Sequence, residues 1–151
     1  MTLWIGTTHD LEACLDVRRH VFINEQEIPE EEELDDLDGQ AIHLLATDKG
    51  KPVATARLLF EGQLGKIGRV AVVLSHRGTG LGAEIMYAAL DIMDERPEIK
   101  IVKLSAQEKV IGFYEKLGFI AQGPTYMDAG IPHRDMYRPA DRPKDKKNVR
   151  L

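Results

Sequence analysis

The chain has 151 residues, 43% of them hydrophobic and 30% charged, with a formal net charge of −5. That length and composition suit one globular domain with one core. They exclude the basic surface needed for nonspecific nucleic-acid binding, and no apolar run approaches the ~18 residues of a membrane span. One cysteine, Cys14, excludes an internal disulfide and a thiolate metal cluster, and no metal site is expected. Met1 to Thr8 lacks the cationic start of a secretory signal, so a cytoplasmic setting is expected.

In chain order, Leu3 to Gly6 suits a short edge strand. Thr8 or Asp10 is positioned to cap a helix running to about Ile23, with Leu11, Leu15, Arg18 and Phe22 on one stripe. Cys14 lies beside that stripe and reads as a small core residue. The acidic run Glu30 to Glu33, Asp35, Asp36 and Asp38 reads as solvated surface. Ala41 to Thr47 and Pro52 to Phe60 are predicted as antiparallel strands joined at Asp48-Lys49-Gly50-Lys51. Lys66 to Val73 follows as a strand, and its apolar stretch Val70 to Val73 predicts burial on both faces. Ser75 to Gly82 is predicted as a loop, and Ala83 to Glu95 as a helix stopped by Pro97. Ile99 to Ala106 is a strand, Val110 to Leu117 a short helix, and Phe119 to Gln122 and Arg134 to Arg138 are the last strands. The domain spans residues 1–151, with a basic tail from about residue 139 that carries Arg142, Lys144, Lys146, Lys147 and Arg150.

The segment that carries chemistry is Arg69-Val-Ala-Val-Val-Leu-Ser-His-Arg77-Gly-Thr-Gly-Leu-Gly-Ala83. A strand runs into a glycine-rich turn and a helix starts at once. Converging backbone amides and the helix start suit a pyrophosphate, glycines let the anion approach, and Arg77 adds a charge. A P-loop would require a Gly-Lys-Ser/Thr ending, which is missing. Gly78-Thr79-Gly80-Leu81-Gly82-Ala83 fits the dinucleotide fingerprint, but the following strand ends at Ala106-Gln107, where an acidic ribose ligand should stand.

Arg77-x-x-Gly80-x-Gly82 after an apolar strand resembles the acetyl-CoA pyrophosphate loop of the GNAT superfamily of N-acetyltransferases. Leu104-Ser-Ala-Gln107-x-x-x-x-Gly112-Phe113-Tyr114-Glu-Lys-Leu-Gly118-Phe119 resembles the later strand-helix block of that superfamily. Val21-Phe22-Ile-Asn-Glu25-Gln26-Glu-Ile-Pro29, Asp38, His43 and Asp128-Ala-Gly130-Ile-Pro132-His133 look like its ElaA-like branch. The resemblance implies an α+β (mixed α/β) GNAT fold, with a mostly antiparallel sheet of about six or seven strands flanked by about four helices, splayed where the cofactor enters.

It further implies that backbone groups across Val70, Ala71 and Val72 pair with the pantetheine arm of acetyl-CoA. Amides from Arg77 through Gly78, Thr79, Gly80, Leu81, Gly82 and Ala83 would hold the pyrophosphate, with Gln107 and Phe113 also on the cofactor side. Tyr114 falls where many members carry the acid that protonates the departing thiolate, a role open to a phenol of reference pKa about 10.

The general base is not legible. Glu25, Glu33, Asp35, His43, Asp128 and His133 are candidates on the substrate side, and a water chain is equally open. If the acidic run lines the acceptor entrance, it favours a cationic acceptor. The expected function is transfer of an acetyl group from acetyl-CoA to a primary amine, of a small molecule or a protein, in a ternary complex. The alternative is a non-catalytic acyl-CoA sensor. A homodimer is the expected assembly, without nucleic-acid or membrane partners.

Overall fold

The computed structural model describes residues 2–140, and the basic tail beyond Ala140 lies outside them. Among the described residues, seven strands, mostly antiparallel, and four α-helices make a mixed α/β fold. The chain forms two compact units, each assembled from two segments. One unites the residues through Leu59 with Ile67–Ala89; the other unites Phe60–Lys66 with the chain from Leu90 onward.

Strands β1 (Leu3–Thr8), β2 (Ile42–Asp48), β3 (Lys51–Glu61) and β4 (Leu64–Val72) are neighbours in that order, and the first unit holds β1, β2, β3 through Leu59 and β4 from Ile67. β1 pairs antiparallel with β2, Leu3 opposite Asp48 and Thr8 opposite His43. The β2–β3 hairpin turns at Lys49 (φ 53°) and Gly50 (φ 79°). Two left-handed residues in succession match the twist of the flanking strands.

Helix α1 (Leu11–Arg18) is capped by Asp10, whose Oδ1 accepts from the Ala13 amide at 3.1 Å. The expected helix to Ile23 is not a single α-helix. It ends at Arg18 and widens into a π-helical stretch, Arg19–Glu25, in which the Gln26 amide reaches back to the Val21 carbonyl at 3.1 Å. Val17, Val21 and Phe22 pack with Ala71, and Ile28 and Val73 border this cluster.

The prediction that Val70 to Val73 is buried on both faces is corrected. Only Ala71 is buried there, and both valines of β4 beside it are half-exposed. β3 is buried on both faces, from Val53 to Leu58, and β2 from His43 to Ala46. Apolar content alone does not report how many faces of a strand are covered, since single apolar residues are common at surfaces.

The acidic run also departs from expectation. Glu30–Glu33 forms the short helix α2, and Glu33 is buried. Arg18, itself 1% exposed, donates to Glu33 and Asp38, so the run is tied into the interior by arginines.

Helix α3 (Leu81–Asp94) begins two residues earlier than predicted, with buried Leu81 as its first anchor. Gly82 therefore lies in its first turn. In the second unit, β5 (Ile101–Gln107), β7 (Ile131–Pro139) and β6 (Ile120–Asp128) are neighbours in that order. β7 pairs antiparallel with both others. β6 is longer than predicted because it resumes after a register shift between Gln122 and Tyr126, where Gly123 takes φ 85°. A second left-handed pair, Ala129 (φ 51°) and Gly130 (φ 76°), turns β6 into β7. Helix α4 (Ile111–Glu115) follows a single 3₁₀ turn after β5. A Cβ at Gly65 would collide with Met93 Sδ, which explains glycine in that buried strand position.

Candidate functional site

β4 leaves the sheet through a 3₁₀ turn, Leu74–His76, and reaches α3 by way of Arg77 to Gly80. Gly78 (φ 77°) and Gly80 (φ 86°) are both left-handed, and a Cβ at either would meet nothing within 4 Å. Backbone conformation, not crowding by neighbouring protein atoms, therefore sets the demand for glycine. The loop is pinned from within, because Thr79 Oγ1 donates to the His76 carbonyl at 2.7 Å. The Gly80 carbonyl accepts from Glu84 at 3.1 Å, closing the first turn of α3. The amides of Leu81, Gly82 and Ala83 precede that bond and have no partner within the helix. They provide the anion-favouring end of the helix macrodipole.

Arg77 is exposed but fully engaged. Its Nε donates to the Val72 carbonyl at 2.9 Å, while Nη1 and Nη2 close on Glu25 at 2.5 and 2.6 Å. The Glu25 hydrogen bonds hold the guanidinium's pKa above its ordinary value despite some desolvation. This pair joins residues assigned from sequence to opposite sides of the chemistry, one to the cofactor and one to the acceptor. Beside it, His76 lies between Ser75 and Asp48, Nδ1 to Ser75 Oγ at 2.9 Å and Nε2 to Asp48 Oδ2 at 2.8 Å.

Two further substrate-side candidates lie in a network of three carboxylates and three guanidiniums. Arg18 Nε reaches Glu33 Oε2 at 2.8 Å, and Arg69 Nε reaches the same oxygen at 2.9 Å. Arg57 contacts Asp35 at 2.8 Å and Asp38 at 3.1 Å. Desolvation raises the pKa values of Asp35 and Asp38. Hydrogen bonds from Arg57 to Asp35 and from Arg18 to Asp38, with further arginine charge, outweigh it and hold both below the usual carboxylate range. A carboxylate held this way is a poor proton acceptor. Glu33 Oε1 and Arg57 Nε are buried without a hydrogen-bond partner. His43 joins the network's edge, its Nε2 donating to the Asp38 carbonyl at 2.9 Å.

Tyr114, the candidate acid, is buried in α4 and packs edge-on against Phe113 and Phe119, at centroid distances of 5.0 and 6.2 Å. Burial pushes its phenol up to about 12. Gln107 ends β5 opposite His133 of β7. His133 is 9% exposed; its Nδ1 donates to the Ile131 carbonyl at 2.7 Å, and its ring stacks on Tyr126. That bond assigns the neutral ring's proton to Nδ1 and leaves the Nε2 lone pair available. Asp128 is exposed at the end of β6.

Sequence reasoning missed a polar cluster around Tyr126, whose hydroxyl donates to Asp135 at 2.6 Å and also contacts Ser105. Lys103 lies 3.5 Å from Asp135. The available signal was alternation: Lys103, Ser105 and Gln107 share one face of β5, and His133, Asp135 and Tyr137 stand opposite them on β7. Among the described residues, no group of three or more His, Cys, Asp or Glu gathers as a metal site, and no helix is long and apolar enough to cross a membrane.

The family model for the acetyltransferase (GNAT) domain matches residues 10–138. The chain is 36% identical to protein ElaA of Escherichia coli over 132 residues, covering 85% of this chain and 86% of ElaA. An uncharacterized N-acetyltransferase of Bacillus subtilis, YjcF, is also 36% identical, over 81% of this chain and 87% of its own. Among solved structures, an acyl-CoA N-acyltransferase from Pseudomonas aeruginosa superposes with a TM-score of 0.81 at 36% identity, covering 90% of this chain and 99% of that one. The structure of ElaA also gives 0.81 over 90% of this chain. With a strand-to-helix glycine loop of this geometry and a domain match over nearly its whole length, the chain belongs to the GNAT acetyltransferase family and is a homologue of ElaA.

Proposed function

We propose that the chain transfers an acetyl group from acetyl-CoA directly to a primary amine within a ternary complex. The observation that carries this reading is the run from β4 through left-handed Gly78 and Gly80 into the first amides of α3, which have no partner within the helix. It suits a diphosphate held by backbone donors, which need no particular side chain. Val70 and Val72 then supply main-chain groups to the pantetheine amides. The amine nitrogen attacks the thioester carbonyl, the carbon–sulfur bond breaks, the ammonium proton passes to a base, and the thiolate takes a proton from Tyr114.

Direct transfer is supported by Cys14. It is the chain's single cysteine, is fully buried, and has its pKa raised chiefly by desolvation. A thiol in that state is a poor nucleophile, so no cysteine serves as an acyl carrier. Among base candidates His133 has the best chemistry, because its free Nε2 is an acceptor in the neutral ring. Glu25, Glu33 and Asp35 are each held by arginine. A cationic acceptor rests on less charge than the whole acidic run: Glu30, Glu31, Glu32 and Asp36 are exposed, while Glu33, Asp35 and Asp38 are matched by arginines.

The test is chromatographic measurement of CoA released from acetyl-CoA across a panel of polyamines, aminoglycosides, neutral amines and lysine peptides. Amine-dependent release with an acetylated product supports the reading and names the acceptor class. Acetyl-CoA binding without release from any amine favours a non-catalytic acyl-CoA sensor.

A further inference from the structure

Arg69 has φ 50° within β4. The other left-handed non-glycine residues lie outside strands: Lys49 and Ala129 in hairpin turns, and Glu27 ahead of α2. A left-handed residue with a side chain is strained by its Cβ against the backbone, and the strain persists only where surrounding contacts hold it.

Those contacts are explicit. Arg69 Nε donates to Glu33 Oε2 at 2.9 Å, and Nη2 donates to the Glu33 carbonyl at 2.8 Å and to Asp35 Oδ2 at 3.3 Å. The Glu33 side chain is 2% exposed, and Arg18 holds the same Oε2 oxygen at 2.8 Å. Asp35 is clamped by Arg57 through Oδ1 at 2.8 Å and Oδ2 at 3.1 Å. The guanidinium of Arg69 is therefore held by carboxylates that are themselves fixed.

We propose that Glu33 and Asp35, acting through Arg69, hold β4 in the left-handed turn that immediately precedes Val70 and Val72, and are positioning residues for the pantetheine-binding backbone. This rests on the reading of β4 as the pantetheine strand. Released from its ion pairs, residue 69 relaxes toward the extended region, rotating the following peptide planes away from the arm they pair with. The acidic segment thus has a use in cosubstrate binding without touching cosubstrate.

Glycine tolerates positive φ and alanine does not, so Arg69→Gly and Arg69→Ala separate backbone shape from charge. Binding is measured by calorimetry for acetyl-CoA and for the nucleotide half of CoA without its pantetheine arm. Arg69→Ala is expected to weaken acetyl-CoA about tenfold and Arg69→Gly no more than about threefold, with the nucleotide half bound as by wild type. Should Arg69→Ala fail to fold, Glu33→Gln provides the same reading, with acetyl-CoA weakened about threefold and the nucleotide half unchanged. Arg69→Gly binding no better than Arg69→Ala, or equal losses for both ligands, overturns the inference. Failure of the wild-type chain to bind acetyl-CoA removes the pantetheine reading itself.

Discussion

The guanidinium of Arg77, in the glycine loop, is closed on the carboxylate of Glu25, with Nη2 at 2.6 Å from Oε1. Both side chains are more than a third exposed, so the pair contributes little stability. Its consequence is competitive. A diphosphate reaching this loop meets a guanidinium already occupied by an anion.

Removing Glu25 is therefore expected to free Arg77. Glu25→Ala should tighten acetyl-CoA binding by up to about fivefold, the ceiling set by an exposed ion pair. Calorimetry at low salt checks this, and weaker binding would show instead that Glu25 holds the loop in shape.

Tyr114→Phe keeps the buried ring and its edge contacts with Phe113 and Phe119. Turnover is expected to fall about 10²-fold or more, with acetyl-CoA affinity unchanged within about twofold. Unchanged turnover would remove Tyr114 as the acid.

The same residue has a thermodynamic signature. Desolvation raises its folded pKa to about 12 from the ordinary phenol value of about 10. The native state therefore retains the proton longer than the unfolded chain. That contribution is fully present below about pH 10 and is lost as pH rises toward about 12. Wild type should lose stability relative to Tyr114→Phe across that window, and urea melts at pH 8 and 10.5 read the difference. A difference that does not change with pH would contradict the burial of the phenol.

Arg18 is 1% exposed and pairs with both Glu33 and Asp38. Arg18→Ala removes the partner of buried carboxylates and is expected to destabilise by roughly 3–5 kcal/mol. The lowered pKa values of Asp35 and Asp38 add a sign: their stabilisation is present above the ordinary aspartate range and lost as pH falls through the depressed values. Urea midpoints for Arg18→Ala at pH 7 test the first statement, and wild-type acid unfolding steepening below about pH 4 tests the second.

If His133 is the base, His133→Asn should lower turnover about 10²-fold while leaving acetyl-CoA affinity within about twofold. Turnover that survives in the variant moves the role to another group, with Asp128 next.

Much of the candidate site was legible because its signals are local. Gly78 and Gly80 belong to a strand-to-helix turn only a few residues long, and Tyr114 stands in a compact strand-helix block. The β2–β3 hairpin was equally local, turned by the left-handed pair Lys49 and Gly50. Strand coverage was less legible: β3 and β4 are both apolar, and only the elements packed above and below decide which is buried on both faces.

The sequence by itself determined the family, the order of the strands and of helices α1, α3 and α4, and the glycine loop, all written in short-range spacing and residue type. Tertiary structure alone decided which charges meet. Glu33 and Arg69 are separated by 36 positions and Glu25 and Arg77 by 52, and no periodicity links either pair. A carboxylate's chemistry depends on what folding brings beside it and on how much water folding removes. The acidic run looked like surface in the sequence, and its Glu33, Asp35 and Asp38 became the fixed counterions of three arginines in the fold.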